Sequence, residues 1–161
     1  MQDSAINLLK GLVERYSPSG KEDEVGYFLS SRMEELGFLV KRDIVGNVIG
    51  EHGDGSPRVL LCGHMDTVPP ELPVRLEDGI LYGRGTVDAK GPLAALVMAA
   101  SGLVNDGHSG TLIVVGAVDE EGMSTGVKNL VNDGLEADYA IFGEPTNVET
   151  ITVGYKGGLV L

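Results

Sequence analysis

Four short stretches of the 161-residue chain set a histidine or carboxylates among small residues and turn formers. They are Gly63-His64-Met65-Asp66, Val87-Asp88-Ala89-Lys90, Asp119-Glu120-Glu121-Gly122 and Gly143-Glu144-Pro145-Thr146. One imidazole combined with several carboxylates suits divalent zinc, cobalt or manganese better than calcium, which takes oxygen ligands alone. Two such ions about 3.5–4 Å apart can share a carboxylate and a water, lower the pKa of that water and clamp a scissile carbonyl. A carboxylate left free beside the water would accept its proton and hand it to the leaving group.

Each stretch also has a plainer reading. Asp88 alone would serve as a helix N-cap, Asp119-Glu120-Glu121 as a solvated acidic turn, and Glu144 as a surface turn residue. A lone histidine after a strand is more often structural than ligating. The four together, each placed at the end of an apolar run or the start of a helix, favour the metal reading. Residues 83–91 resemble a phosphate loop only superficially. A dinucleotide fingerprint needs glycine where Asp88 stands, and a Walker A loop needs glycine where Ala89 stands, so both nucleotide readings fail.

The surrounding pattern predicts what positions these groups. Two amphipathic helices open the chain. The first is capped by Ser4, with Ala5, Leu8, Leu9, Leu12, Val13 and Tyr16 on one face; the second ends at Leu36 before a Gly37 stop. Between them lies the breaker Ser17-Pro18-Ser19-Gly20. Strands are expected at residues 38–42, 47–51, 59–62, 80–82, 111–118, 139–142 and 150–155, with helices at 89–104 and 125–131. The unalternating run Val59-Leu60-Leu61-Cys62 reads as a strand buried on both faces. Buried strands alternating with helices predict an α/β fold, a mostly parallel sheet flanked by helices. Ligands of such sheets bind beyond the carboxyl ends of the strands, which is where His64, the 119–121 acids and Glu144 fall.

Composition narrows the function classes. With 24 acidic against 12 basic residues the formal charge is −12, which argues against nucleic-acid backbone binding. Apolar residues make up 42% of the chain, too many for an acidic disordered tail. No run approaches a transmembrane length, so no membrane partner is expected. Cys62 is the single cysteine, which leaves no intrachain disulfide and points to a reducing, cytoplasmic setting.

The stretches Gly63–Pro69, Gly83–Gly91, Asp119–Gly122 and Gly143–Thr146 resemble the four successive motifs of the M20 family of di-zinc aminoacylases and peptidases. The resemblance implies a zinc-peptidase-like catalytic domain holding two divalent ions, zinc or else cobalt or manganese. It makes His64 a ligand of one ion, Asp66 its orienting partner, Asp88 a bridge with a cis peptide to Ala89, Glu120 the general base, Glu121 a ligand of the second ion and Glu144 the last ligand of the first. Within the family the stretch is most similar to hydrolases that release lysine or ornithine from an amino-group carrier protein, in lysine and arginine synthesis. The implied substrate is thus a carrier-linked or small-molecule conjugate of an amino acid. Docking of an acidic carrier would call on a basic patch from Arg84, Lys90 and Lys156.

Full members are longer. The resemblance therefore implies that residues 1–161 are the N-terminal portion of a catalytic domain, without the lid that forms the homodimer interface and without the segment that resumes the domain. Neither His52 in the 51–55 turn nor His108 is expected to replace the second ion's histidine. The chain alone is expected to be inactive. Alternative readings are a non-catalytic metal-binding fragment, or a relative acting on peptides, N-acyl amino acids or succinyl-diaminopimelate.

Overall fold

The computed structural model describes residues 2–146 and 149–154. Helix α1 (Gln2–Val13) and helix α2 (Asp23–Glu35) lead into strands β1 (Leu39–Arg42), β2 (Val48–Asp54) and β3 (Arg58–His64). A hairpin of β4 (Arg75–Glu77) and β5 (Ile80–Tyr82) precedes helix α3 (Lys90–Asp106). Strand β6 (Gly110–Ala117), helix α4 (Thr125–Asn132) and strand β7 (Tyr139–Phe142) follow. The main sheet runs β1-β2-β6-β3-β7.

The sheet is mixed. Strands β6, β3 and β7 pair in parallel, whereas β2 is antiparallel to both β1 and β6. The expectation of mostly parallel pairing holds for the half that carries the site. β2 breaks it because a short turn from β1 can only return antiparallel.

β6 explains why a run without alternation forms a strand here. Leu112 and Val114 enter the larger core, with Leu8, Leu12, Leu29, Met33, Leu93 and Val97 from α1, α2 and α3. Ile113 and Val115 face the other way, onto Leu130 of α4 with Ile49, Leu60 and Cys62. Both faces are covered, so every position of β6 is buried. At Gly116 the chains touch so closely that a Cβ would lie 2.5 Å from Leu29 Cδ2 and 2.9 Å from Met65 Cγ.

Several sequence expectations shift. α1 begins before Ser4, which therefore lies inside the helix rather than capping it. Strand β4 was not expected. It pairs with β5 through an Asp78-Gly79 turn in which both residues have positive φ, the conformation a two-residue hairpin demands. β7 forms where expected, but Tyr139, Ile141 and Phe142 are largely exposed because it lies at a sheet edge among the described residues. The strand expected at 150–155 is absent over its described part, residues 150–154. A strand needs a ladder partner, and the side chains of Ile151 and Val153 stand almost wholly in solvent. No described helix is long and apolar enough to cross a membrane.

Candidate metal centre

Three parallel strands end at one edge of the sheet, and each delivers a group there. β3 ends on His64, β6 runs into Asp119-Glu120-Glu121, and β7 is followed by Glu144. Asp88 comes from the segment just before α3, after the β4–β5 hairpin. The Asp88–Ala89 peptide is cis, as the family resemblance implied.

His64 is buried, and its two ring nitrogens have separate surroundings. Nδ1 lies 3.0 Å from the backbone oxygen of Asp66 and 3.3 Å from its Oδ1, both acceptors, so Nδ1 carries the proton. Nε2 faces outward to the acids, 3.1 Å from Asp88 Oδ1 and 3.8 Å from Glu120 Oε2. His64, Asp88 and Glu121 each offer a ligand atom within 4.8 Å of the others. Glu144 lies outside that group, yet its charge acts on His64.

Asp66, also fully buried, holds the cluster from below. Its Oδ1 accepts from the backbone N–H of Glu120 at 3.0 Å. Its Oδ2 accepts from the N–H of Glu121 at 3.0 Å and from Ser19 Oγ at 2.6 Å. One carboxylate thus fixes both the histidine ring and the backbone of the two acids. Burial pushes its pKa up, but the bonds from His64, Ser19, Glu120 and Glu121 outweigh burial and leave it lowered.

The electrostatics describe a site short of positive charge. Burial first, then the neighbouring acids, raise the pKa of Glu121 and of Glu144, with His64 pulling the other way. Burial disfavours the His64 imidazolium, but Asp66, Glu144 and Glu120 outweigh it and lift His64 to about 9. A divalent cation placed among these groups would relieve the same shortage of positive charge. Imidazole nitrogen plus carboxylate oxygens is a zinc, cobalt or manganese donor set, and a histidine whose far nitrogen is held by a carboxylate is the usual form of such a ligand. The residues fit a divalent ion.

Other sequence expectations resolve differently. Lys90 is neither a surface residue nor part of a docking patch. It is completely buried, and its Nζ donates to the carbonyls of Leu12 at 3.0 Å and Arg15 at 2.7 Å. Its ammonium ties α1 to the start of α3, and burial lowers its pKa to about 8. Arg84 donates to Pro70 O, and Lys156 lies outside the described residues. His52 sits in β2 rather than in a turn. Its Nδ1 is 2.9 Å from His108 Nε2, near the amino end of β6 and away from the acids. Cys62 is buried core, its thiol pushed up to about 12 by burial and then by Glu144.

Sequence reasoning missed three supports. Ser19 bonds to Asp66, Glu22 accepts from Asp119 N, and the buried Asn47 bonds to Val118 N and Gly126 O beside the acidic turn. Burial raises the Glu22 pKa against the bonds it accepts. Their partners lie 47 to 97 positions away, and short-range pattern carries no signal of that.

Residues 60–156 match the model of peptidase family M20/M25/M40. The chain is 48% identical over 160 residues to a Pyrococcus abyssi protein provisionally named as a LysW-lysine/LysW-ornithine hydrolase, covering 99% of this chain and 45% of that protein. It is 39% identical over 159 residues to the LysW-lysine hydrolase of Deinococcus radiodurans, covering 98% and 44%. A Bacillus subtilis protein described as a dinuclear metal binding peptidase from the M20 family superposes with a TM-score of 0.72 at 17% identity, over 87% of this chain and 42% of that one. The chain spans about half the length of the curated relatives it matches.

Proposed function

The chain belongs to peptidase family M20/M25/M40, and from that membership we propose that its site serves metal-dependent hydrolysis of an amide bond, releasing lysine or ornithine from a carrier-protein or N-acyl conjugate. The observation that carries this reading is the convergence of His64, Asp88 and Glu121 within 4.8 Å, with the Glu120 carboxylate alongside. The names of the Pyrococcus and Deinococcus relatives support the choice of leaving group and of a carrier-linked substrate. Zinc is the favoured metal, with cobalt or manganese as alternatives, in a cytoplasmic enzyme that dimerises in its complete form.

In this reading His64, Asp88, Glu121 and Glu144 would be the residues that hold the two ions. Divalent ions held there would supply Lewis-acid polarisation of an amide carbonyl and a water of lowered pKa. Asp66 keeps the Nδ1 proton of His64 in place, which leaves Nε2 as the donor atom. Glu120 has no ligand duty. Its side chain is part exposed, with its carboxylate 3.8 Å from His64 Nε2. It takes a proton from water as oxygen attacks the carbonyl carbon, then gives that proton to the departing amine. Residues 1–161 supply the base and the acidic ligands; the other half of the relatives' length is where a further histidine and the substrate pocket are expected.

Glu120→Gln tests the base assignment. In a protein that joins these residues to the remainder of the catalytic domain, turnover should fall at least about 100-fold, the usual contribution of general base catalysis. Metal content should stay unchanged. Near-normal activity in that variant would remove Glu120 from the role.

A further inference from the structure

The turn between α1 and α2, which reads in sequence as a simple breaker, makes contacts that a breaker does not need. Ser17 Oγ donates to Met65 O at 2.7 Å, and Thr67 N donates to Ser17 O at 2.9 Å, so the turn lies along the segment just past β3. Ser19 Oγ donates to Asp66 Oδ2 at 2.6 Å. Glu22, nearly buried, accepts from Gly20 N and from Asp119 N through the same Oε1, both at 3.0 Å. The turn therefore touches both loops that present the acids: the one after β3 through Asp66, and the one after β6 through Asp119.

We infer that Ser19 and Glu22 are positioning residues for the metal centre: Ser19 sets the rotation of the Asp66 carboxylate, and Glu22 fixes the backbone at Asp119 from which Glu120 and Glu121 project. The inference rests on the metal reading of His64, Asp88 and Glu121. Asp66 Oδ2 receives Ser19 Oγ and Glu121 N together, so removing the hydroxyl takes away the one side-chain bond on that oxygen and loosens the rotation of the carboxylate. Its turning would move His64 on one side and the Glu120-Glu121 backbone on the other. Glu22 reinforces the same backbone one residue earlier, so either loss loosens the presentation of the ligands without touching a ligand. Outer partners of this kind change metal affinity about 10- to 100-fold.

The test is cobalt(II) titration of the full chain, followed by visible absorption, which reads coordination geometry directly. Ser19→Ala is expected to weaken cobalt binding about 10-fold and to alter the shape of the absorption bands. Ser19→Thr, which keeps the hydroxyl, should restore both. Glu22→Gln, which keeps an acceptor oxygen, should resemble the wild type, and Glu22→Ala should resemble Ser19→Ala. A merely structural serine would lower the unfolding midpoint and leave affinity and band shape unchanged. That result for Ser19→Ala would overturn the inference. His64→Ala separates the two levels. If it abolishes cobalt binding while Ser19→Ala does nothing, the positioning role fails and the metal reading stands. If it binds cobalt like the wild type, the metal reading fails and the inference falls with it.

Discussion

Asn47 offers a sharp test of how the acidic turn is held, because its side chain is entirely buried and fully engaged. Its Oδ1 accepts from Val118 N at 3.0 Å, and its Nδ2 donates to Gly126 O at 2.9 Å and to Asp43 Oδ2 at 2.6 Å. Asn47→Ala removes the partner of two buried main-chain groups that flank residues 119–125. At about 1–3 kcal/mol for each buried polar group deprived of its partner, the cost is about 2–6 kcal/mol. That is a large fraction of the about 5–15 kcal/mol that holds a domain folded. At roughly 2–4 °C per kcal/mol for a chain of this size, the midpoint should fall by about 5–20 °C. Thermal unfolding of the metal-free chain measures that shift, and urea unfolding measures the free-energy loss, with the urea midpoint moving and the slope unchanged. Asn47→Asp should not rescue, since it keeps the acceptor for Val118 but sets a second carboxylate against Asp43. A loss below about 0.5 kcal/mol, the scale of ordinary surface substitutions, would refute the claim that this side chain braces the turn.

Four further outcomes are expected. Without metal, the raised pKa values of His64, Glu121 and Glu144 each make stability fall as pH rises, led by His64, while Lys90, lowered to about 8, opposes part of that fall above pH 8. The His64 contribution is complete below about 6.5 and lost through about 9, so the thermal midpoint should be higher at pH 6 than at pH 9; an unchanged midpoint would contradict it. Zinc at 100 times its dissociation constant should stabilise the chain by about 2.7 kcal/mol and a chelator should reverse the gain, both visible in the thermal midpoint. Gly116→Ala should destabilise by about 1–3 kcal/mol because its Cβ would collide with Leu29 and Met65. Gly102→Ala, inside α3 with nothing within 4 Å, should instead stabilise by about 0.5–1 kcal/mol in the same urea assay.

The elements that position the site were legible because their signals are local. Three apolar runs followed by His64, Glu120-Glu121 and Glu144 mark strand ends, Asp88 marks a helix start, and the parallel pairing of β6, β3 and β7 brings the three strand ends to one edge. What stayed hidden depends on partners far along the chain. Lys90 looked like a surface lysine until α1 was folded over it. Ser19, Glu22 and Asn47 are polar residues in loops, and their roles exist only through residues 47 or more positions away. The strand expected at 150–155 shows the converse: alternation at Ile151 and Val153 is a sound local signal, but no described strand lies beside it.

The central claim is that His64, Asp88 and Glu121 form a cation site, and zinc-edge anomalous diffraction from zinc-loaded crystals of the chain tests it most directly. The expected result is an anomalous peak within about 2.0–2.2 Å of His64 Nε2 and of carboxylate oxygens from Asp88 or Glu121. A peak only between His52 and His108, or none near His64, would contradict it.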